Sequence, residues 1–257
     1  MLAHFIQMKW VKNHITSMLA FDIAQFFPLL NYHLLSSILI KASFEPKVST
    51  FFWNYLVDRK TKYLWNNFSS PFFNVDIGIG QDSALSPILS VFYLLLIFYI
   101  FENQLKNLKI PISTLSFINN RLLIAQNKFM TMSNANLSCS YNVISNLLMK
   151  FGLTIEHRKI EVFYFSRLQG SFNLSSLDLT SLGRSVLHPK TTWHYLGFIF
   201  NCKLLFCQHI DFYANKAILT IKYMKMLGNL LRGLDPIQKR CLYRCCILSI
   251  ALYGFQL

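Results

Sequence analysis

Asp22 closes an apolar run, Phe21-Asp22-Ile23-Ala24-Gln25-Phe26-Phe27-Pro28, so one carboxylate stands where a short strand ends. Taken alone, an acid there serves a turn or caps a helix. Farther on, Gly78-Ile79-Gly80-Gln81-Asp82-Ser83-Ala84-Leu85-Ser86-Pro87 sets a glycine-containing loop before a helix start, with Ser86 as cap and Pro87 in the first turn. Such a loop lets backbone approach a substrate, and it serves equally as a plain connector. Asn119-Asn120 separates Leu115-Ser116-Phe117-Ile118 from Arg121-Leu122-Leu123-Ile124, the pattern of a tight β-hairpin, since asparagine tolerates positive φ. Downstream stand Lys159 and Trp193-x-Tyr195-Leu196-Gly197.

These residues need elements to hold them. The pattern predicts a mixed helix over 1–17, a strand over 19–23, helices over 31–42 and 47–59, and extended segments at 61–65 and 75–79. A long apolar helix follows over 87–105, then a hairpin of 114–118 with 121–126 and a helix over 136–151. Strands are expected at 161–166 and 192–200, and basic helices at 210–227 and 235–252. Strands and helices interleave around a central hairpin, which argues α+β with an antiparallel sheet. Residues 84–101 carry no charge and just reach membrane-span length, but a helix starting at Pro87 leaves only about 15 apolar residues. A buried central helix is therefore expected, with a membrane anchor as the competing reading.

The 257 residues suffice for one large core. Lys and Arg number 25 against 11 Asp and Glu, a formal charge of +14, which favours a polyanionic partner, nucleic acid first. Only 8 of those cations are arginine, so the basic character is mostly point charge rather than bidentate fork. The six cysteines (139, 202, 207, 241, 245, 246) show neither a paired framework nor metal-site spacing, and the N-terminus does not read as a signal peptide. Reduced thiols in an intracellular protein, nuclear or cytoplasmic and not secreted, are the expectation.

In this order, the segments resemble the reverse transcriptases of non-LTR (LINE-type) retrotransposons, in particular those of filamentous fungi. The first motif resembles Phe21-Asp22-Ile23-Ala24-Gln25-Phe26-Phe27-Pro28-x-Leu30-Asn31, and the second Gly80-Gln81-x-Ser83-Ala84-Leu85-Ser86-Pro87. The third, Phe-x-Asp-Asp in the family, is Phe117-Ile118-Asn119-Asn120 here, and the fourth runs from Phe151-Gly152-Leu153 to Lys159-x-Glu161-Val162. Trp193-x-Tyr195-Leu196-Gly197 resembles the fifth, and Tyr213, Tyr243 and Leu252-Tyr253-Gly254 continue the likeness to the end. The resemblance implies an α+β right-hand polymerase, with a ferredoxin-like palm and partial fingers over 1–200 and a thumb-proximal region over 201–257. It implies RNA-templated DNA synthesis, with an RNA template, a DNA primer and deoxynucleoside triphosphates as partners and no membrane. Nucleotidyl transfer passes through a transition state dense in negative charge, which two Mg²⁺ ions held by carboxylates stabilise. By resemblance, Asp22 is the first Mg²⁺ ligand and Ile23 adds a backbone oxygen. Phe27 excludes a ribose 2′-hydroxyl, while Gln81, Asp82 and Ser83 face nucleotide and template. Lys159 protonates the leaving pyrophosphate, and Trp193, Tyr195, Leu196 and Gly197 grip the primer. Phe27 reads equally as core, and Lys159 as a solvated lysine.

The chain departs from the family at these same points. Asn119 and Asn120 replace the catalytic acids, with a neutral carbonyl where Mg²⁺ takes charged oxygen. Asp82 stands where glycine is usual, Arg158 and Ile160 flank Lys159 in place of glycine and threonine, and Asn201 replaces an aspartate. Each change is one G·C→A·T transition away, and the 19 asparagines and 24 phenylalanines fit that drift. The expectation is a degenerate, truncated copy without catalytic activity: the family's upstream fingers segment, endonuclease and RNase H regions have no counterpart in these residues.

Overall fold

The computed structural model describes residues 2–81, 83–117, 120–167, 177–179, 185–226 and 233–255. They are mixed α+β and divide into two compact units of interleaved segments. The larger unit takes 16–162 and 172–189; the smaller takes 1–15, 163–171 and 190–257. The sequence reading divided the chain once, after residue 200.

Along the chain, α1 (Leu2–Trp10) leads into β1 (Ile15–Ala24), the one-turn α2 (Phe26–Leu29), α3 (Tyr32–Lys41) and α4 (Pro46–Leu56). The expected helix over 1–17 therefore stops early, and the strand begins at Ile15 rather than at 19. Thr16 and Ser17 are fully buried, so their polar character concealed a strand enclosed on both faces. Two nested two-residue ladders follow, β2 (Lys60–Thr61) with β5 (Phe73–Asn74) and β3 (Leu64–Trp65) with β4 (Phe68–Ser69). No strand forms over 75–79: the Ile77 and Gly78 carbonyls accept from the Arg59 guanidinium instead of a ladder.

Helix α5 (Ser86–Asn107) starts at Ser86, with Leu85 as cap. The Ser86 hydroxyl donates to the Gly80 carbonyl rather than capping the helix. Among the described residues α5 alone is long and apolar enough to cross a membrane. Its buried residues, Leu89, Tyr93, Leu94, Ile97, Phe101 and Leu105, form one stripe facing α3 and α6 (Met130–Lys150). Ile88, Val91, Leu95 and Tyr99 lie exposed along another face, so the helix is buried on one side only.

Strands β6 (Ile112–Phe117) and β7 (Asn120–Asn127) make the expected hairpin. Asn120 is already paired, opposite Phe117, so it belongs to β7 rather than to the turn. In the larger unit the sheet order is β6-β7-β1-β8, with β8 (Thr154–Ile155) antiparallel to β1 and α6 packed on β7 and β8. Strand β9 (Glu161–Phe165) crosses from the larger unit into the smaller. After β9 come the antiparallel pair β10 (Leu177–Leu179) and β11 (Ser185–Leu187). The expected strand over 192–200 is a hairpin, β12 (Thr192–Tyr195) with β13 (Phe198–Asn201). Helix α7 (Cys207–Met226) packs on β13 and on α9 (Ser249–Ala251), and α8 (Pro236–Leu242) opens with a capping box from Asp235 and Gln238.

Candidate functional site

Strand β1 delivers Asp22 to the edge of the core, nearly buried, with its side chain 12% exposed. Three residues later Gln25 takes φ +44°, ending the strand and starting α2. Ile23 pairs with Ile155, and the Glu156 N–H donates to the Asp22 carbonyl at 2.9 Å. The next three residues, His157 to Lys159, wind into one 3₁₀ turn, which brings Lys159 back over β1. Its Nζ donates to Asp22 Oδ2 at 2.9 Å, while Oδ1 is buried without a hydrogen-bond partner among the described residues. The hydrogen bond and charge of Asp22 hold the Lys159 ammonium above the ordinary lysine range, with Glu156 adding to the effect. Tyr141 and His157 Nδ1 lie 3.3 Å apart and brace the turn from α6, and burial pushes the Tyr141 phenol up to about 12.

A cavity of about 260 Å³ opens beside this pair, lined by Asp22, Ile23, Phe27, Gln81 and Lys159 together with Gln25, Phe26 and Glu156. Five residues singled out from sequence thus meet at one cavity. Phe27 is half-buried there, and Gln81 is exposed. The loop reaches the cavity because it is strapped to the far end of the α2 segment. Gly78 N–H donates to the Leu30 carbonyl and Ile79 N–H to that of Phe27, at 2.9 and 2.8 Å. Gly78 has φ +81°, and a Cβ there would meet the Pro28 carbonyl oxygen at 2.5 Å. Glycine is needed here for backbone packing against backbone. Ser83 does not line the cavity; its hydroxyl bonds Tyr55 and accepts from Leu85 N–H at 3.3 Å. Asn120 is exposed at the start of β7 and does not line the cavity either. Asp82 and Asn119 lie outside the described residues. Glu156 was missed from sequence, although it stands one 3₁₀ turn before Lys159.

In the smaller unit, Trp193 is buried among Phe163, Phe200 and Tyr195, whose ring stacks on it at 4.7 Å. Leu196 and Gly197, at φ +49° and +81°, form the β12–β13 turn. Their carbonyls accept from the Tyr253 and Tyr213 hydroxyls at 2.9 and 2.7 Å. A second cavity of about 380 Å³ lies at Phe206, His209, Tyr213 and Tyr253. His209 Nδ1 accepts from Ile199 N–H, which assigns the proton to Nε2 and its donation to the Tyr253 carbonyl at 2.9 Å. No group of three or more His, Cys, Asp or Glu residues is placed to hold a metal ion among the described residues.

No protein-family model and no curated protein matches the sequence. Solved structures do match. Telomerase from Candida tropicalis in complex with a TWJ fragment of telomeric RNA gives a TM-score of 0.55 at 13% identity, over 99% of this chain and 41% of that one. Apo telomerase from the same organism, truncated from its C-terminal domain, gives 0.54 at 14% identity, over 79% of this chain and 38% of that one. At such identities the likeness is one of fold: the chain has a reverse-transcriptase-like α+β fold and spans about two fifths of those telomerase chains.

Proposed function

We propose that the chain is a reverse transcriptase domain of non-LTR retrotransposon origin that has lost nucleotidyl transfer, its larger unit forming the polymerase palm. One observation carries the reading. Asp22 and Lys159, 137 positions apart, meet at 2.9 Å on a cavity that Phe27 and Gln81 also line. These are the residues that the family motifs assign to metal, leaving group, ribose and nucleotide. The reverse-transcriptase-like fold supports the same reading, and a telomerase of that fold was solved with RNA, which favours an RNA template as partner. A DNA primer and deoxynucleoside triphosphates follow from the proposed chemistry.

The residues present do not fit a catalytic pair of Mg²⁺ ions. Two such ions need several anionic oxygens from separate elements. Here one oxygen of Asp22 is taken by an ammonium, and the hairpin that should supply two aspartates carries Asn119 and Asn120. Glu156 brings a second carboxylate to the cavity, but the set ends there among the described residues. Lys159, held on Asp22, is drawn away from any leaving group. The proposed origin explains this state: a repeat copy eroded by G·C→A·T transitions loses acids and glycines first.

Primer extension on an RNA template with Mg²⁺, using this chain and the triple revertant Asn119→Asp, Asn120→Asp, Asp82→Gly, tests the reading. Extension by the revertant alone is the expected result. Extension by the unmodified chain would overturn the loss of catalysis, and extension by neither would overturn the attribution of that loss to these three positions.

A further inference from the structure

The segment 59–75 forms a surface arm that contributes little to the core. All eight residues of its four short strands are exposed. Trp65 stands opposite Phe68, a pair that shares a face, and the Tyr63 and Phe73 rings lie 5.2 Å apart. The arm thus carries four aromatic rings, Tyr63, Trp65, Phe68 and Phe73, of which the first three are 69%, 76% and 63% exposed. Single exposed apolar residues are ordinary on a protein surface, but four such rings on one short arm are a docking feature.

Charge selects the occupant. Between 59 and 75 there are three cations, Arg59, Lys60 and Lys62, and no acid. Lys62 Nζ sits 5.3 Å from the Phe72 ring centroid, and Asn66 and Asn67 put amides at the tip. Aromatic faces interleaved with lysines bind single-stranded nucleic acid by stacking and phosphate attraction, whereas a duplex keeps its base faces covered.

The arm is also rooted at the cavity. Arg59 ties it to the carbonyls of Leu56, Ile77 and Gly78, and Val75 N–H donates to the Arg59 carbonyl at 2.8 Å. Gly78 and Ile79 are strapped in turn to Leu30 and Phe27, and Phe27 and Gln81 line the cavity. We infer that the 59–75 arm is a stacking platform for an unpaired RNA strand running beside the candidate cavity. The inference rests on the reading of the chain as a reverse transcriptase domain, and it names the surface on which that RNA lies.

The test is fluorescence anisotropy of a labelled 12-nucleotide oligouridine, and of an RNA duplex of the same length, with the full chain and its variants. Trp65→Ala with Phe68→Ala is expected to weaken oligouridine binding about 5- to 100-fold at constant salt slope. Duplex binding and the melting temperature stay unchanged. Lys62→Ala is expected to reduce the salt slope by roughly 0.7. Equal oligouridine affinity in the ring variant and the parent overturns the inference. So does an arm that fails to bind oligouridine but binds phosphatidylserine vesicles through the same rings, since a lipid surface is then the occupant. Primer extension by the triple revertant without ring-dependent binding would sink the arm and leave the proposed function standing. Ring-dependent binding with an inactive revertant would do the reverse.

Discussion

Lys159 and Asp22 neutralise each other at the cavity of about 260 Å³, where the proposed function would call for free negative charge. The lysine is held above its ordinary value of 10.5, so the pair stabilises the fold while the lysine stays protonated and is lost as pH rises through the raised value. With the Lys159 side chain 65% exposed, solvent screens the pair, and Lys159→Ala should cost about 1 kcal/mol. Chemical denaturation of parent and variant should show that difference at neutral pH and no difference once the pH exceeds the lysine range. Two glycines make a second contrast. Gly78→Ala drives a Cβ into the Pro28 and Phe27 carbonyls at positive φ and should cost about 3 kcal/mol, whereas Gly152→Ala, at φ +74° with open space around it, should cost about 1 kcal/mol. Equal midpoints for the two variants would contradict the close approach of the loop to α2.

At the level of elements, the buried stripe of α5 sets the expected mutational pattern. Ile97→Ala removes a fully buried side chain and should cost about 2–5 kcal/mol, while Leu95→Ala, at a position 57% exposed, should stay within about 0.5 kcal/mol. Urea denaturation of the two variants checks it. The same helix shows what a sequence does and does not disclose. Its existence was legible from an uninterrupted apolar run, but its exposed face was not, because apolar residues surround it and leave no polar stripe to read. Strand β1 was half legible: Leu19 to Ile23 are apolar apart from Asp22, whereas Thr16 and Ser17 gave no sign of burial. The β12–β13 turn was hidden because Leu196 is a poor residue for φ +49°; tyrosine hydroxyls from distant positions hold its carbonyls. Helix α6 begins at Met130, six residues earlier than its apolar period suggests, since Met130 to Asn134 carry no clear period. The candidate site was more legible than the fold around it. Asp22, Phe27, Gln81 and Lys159 were named only through the resemblance of their ordered motifs to a family, each being weak alone, while Glu156 became visible only when β8 paired with β1.

Over the whole molecule, the formal charge of +14 points to long-range attraction for polyanions that does not depend on catalysis. Nucleic-acid affinity of the unmodified chain should therefore fall steeply with salt even where no primer is extended. Filter binding across a salt series would check this, and a flat profile would contradict it. The interleaving of the two compact units has a further consequence, for synthesis. The smaller unit joins 1–15 to 190–257, so α1, with Ile6 and Trp10 buried, is made well before the segment it belongs with. At about 5–20 residues per second, α1 leaves the ribosome roughly 10–40 seconds before α7 is complete. Throughout that interval its apolar side chains have no native partner from the last segment. Chaperone binding to α1 during that interval, read by crosslinking on ribosomes stalled before and after α7, is the expected consequence.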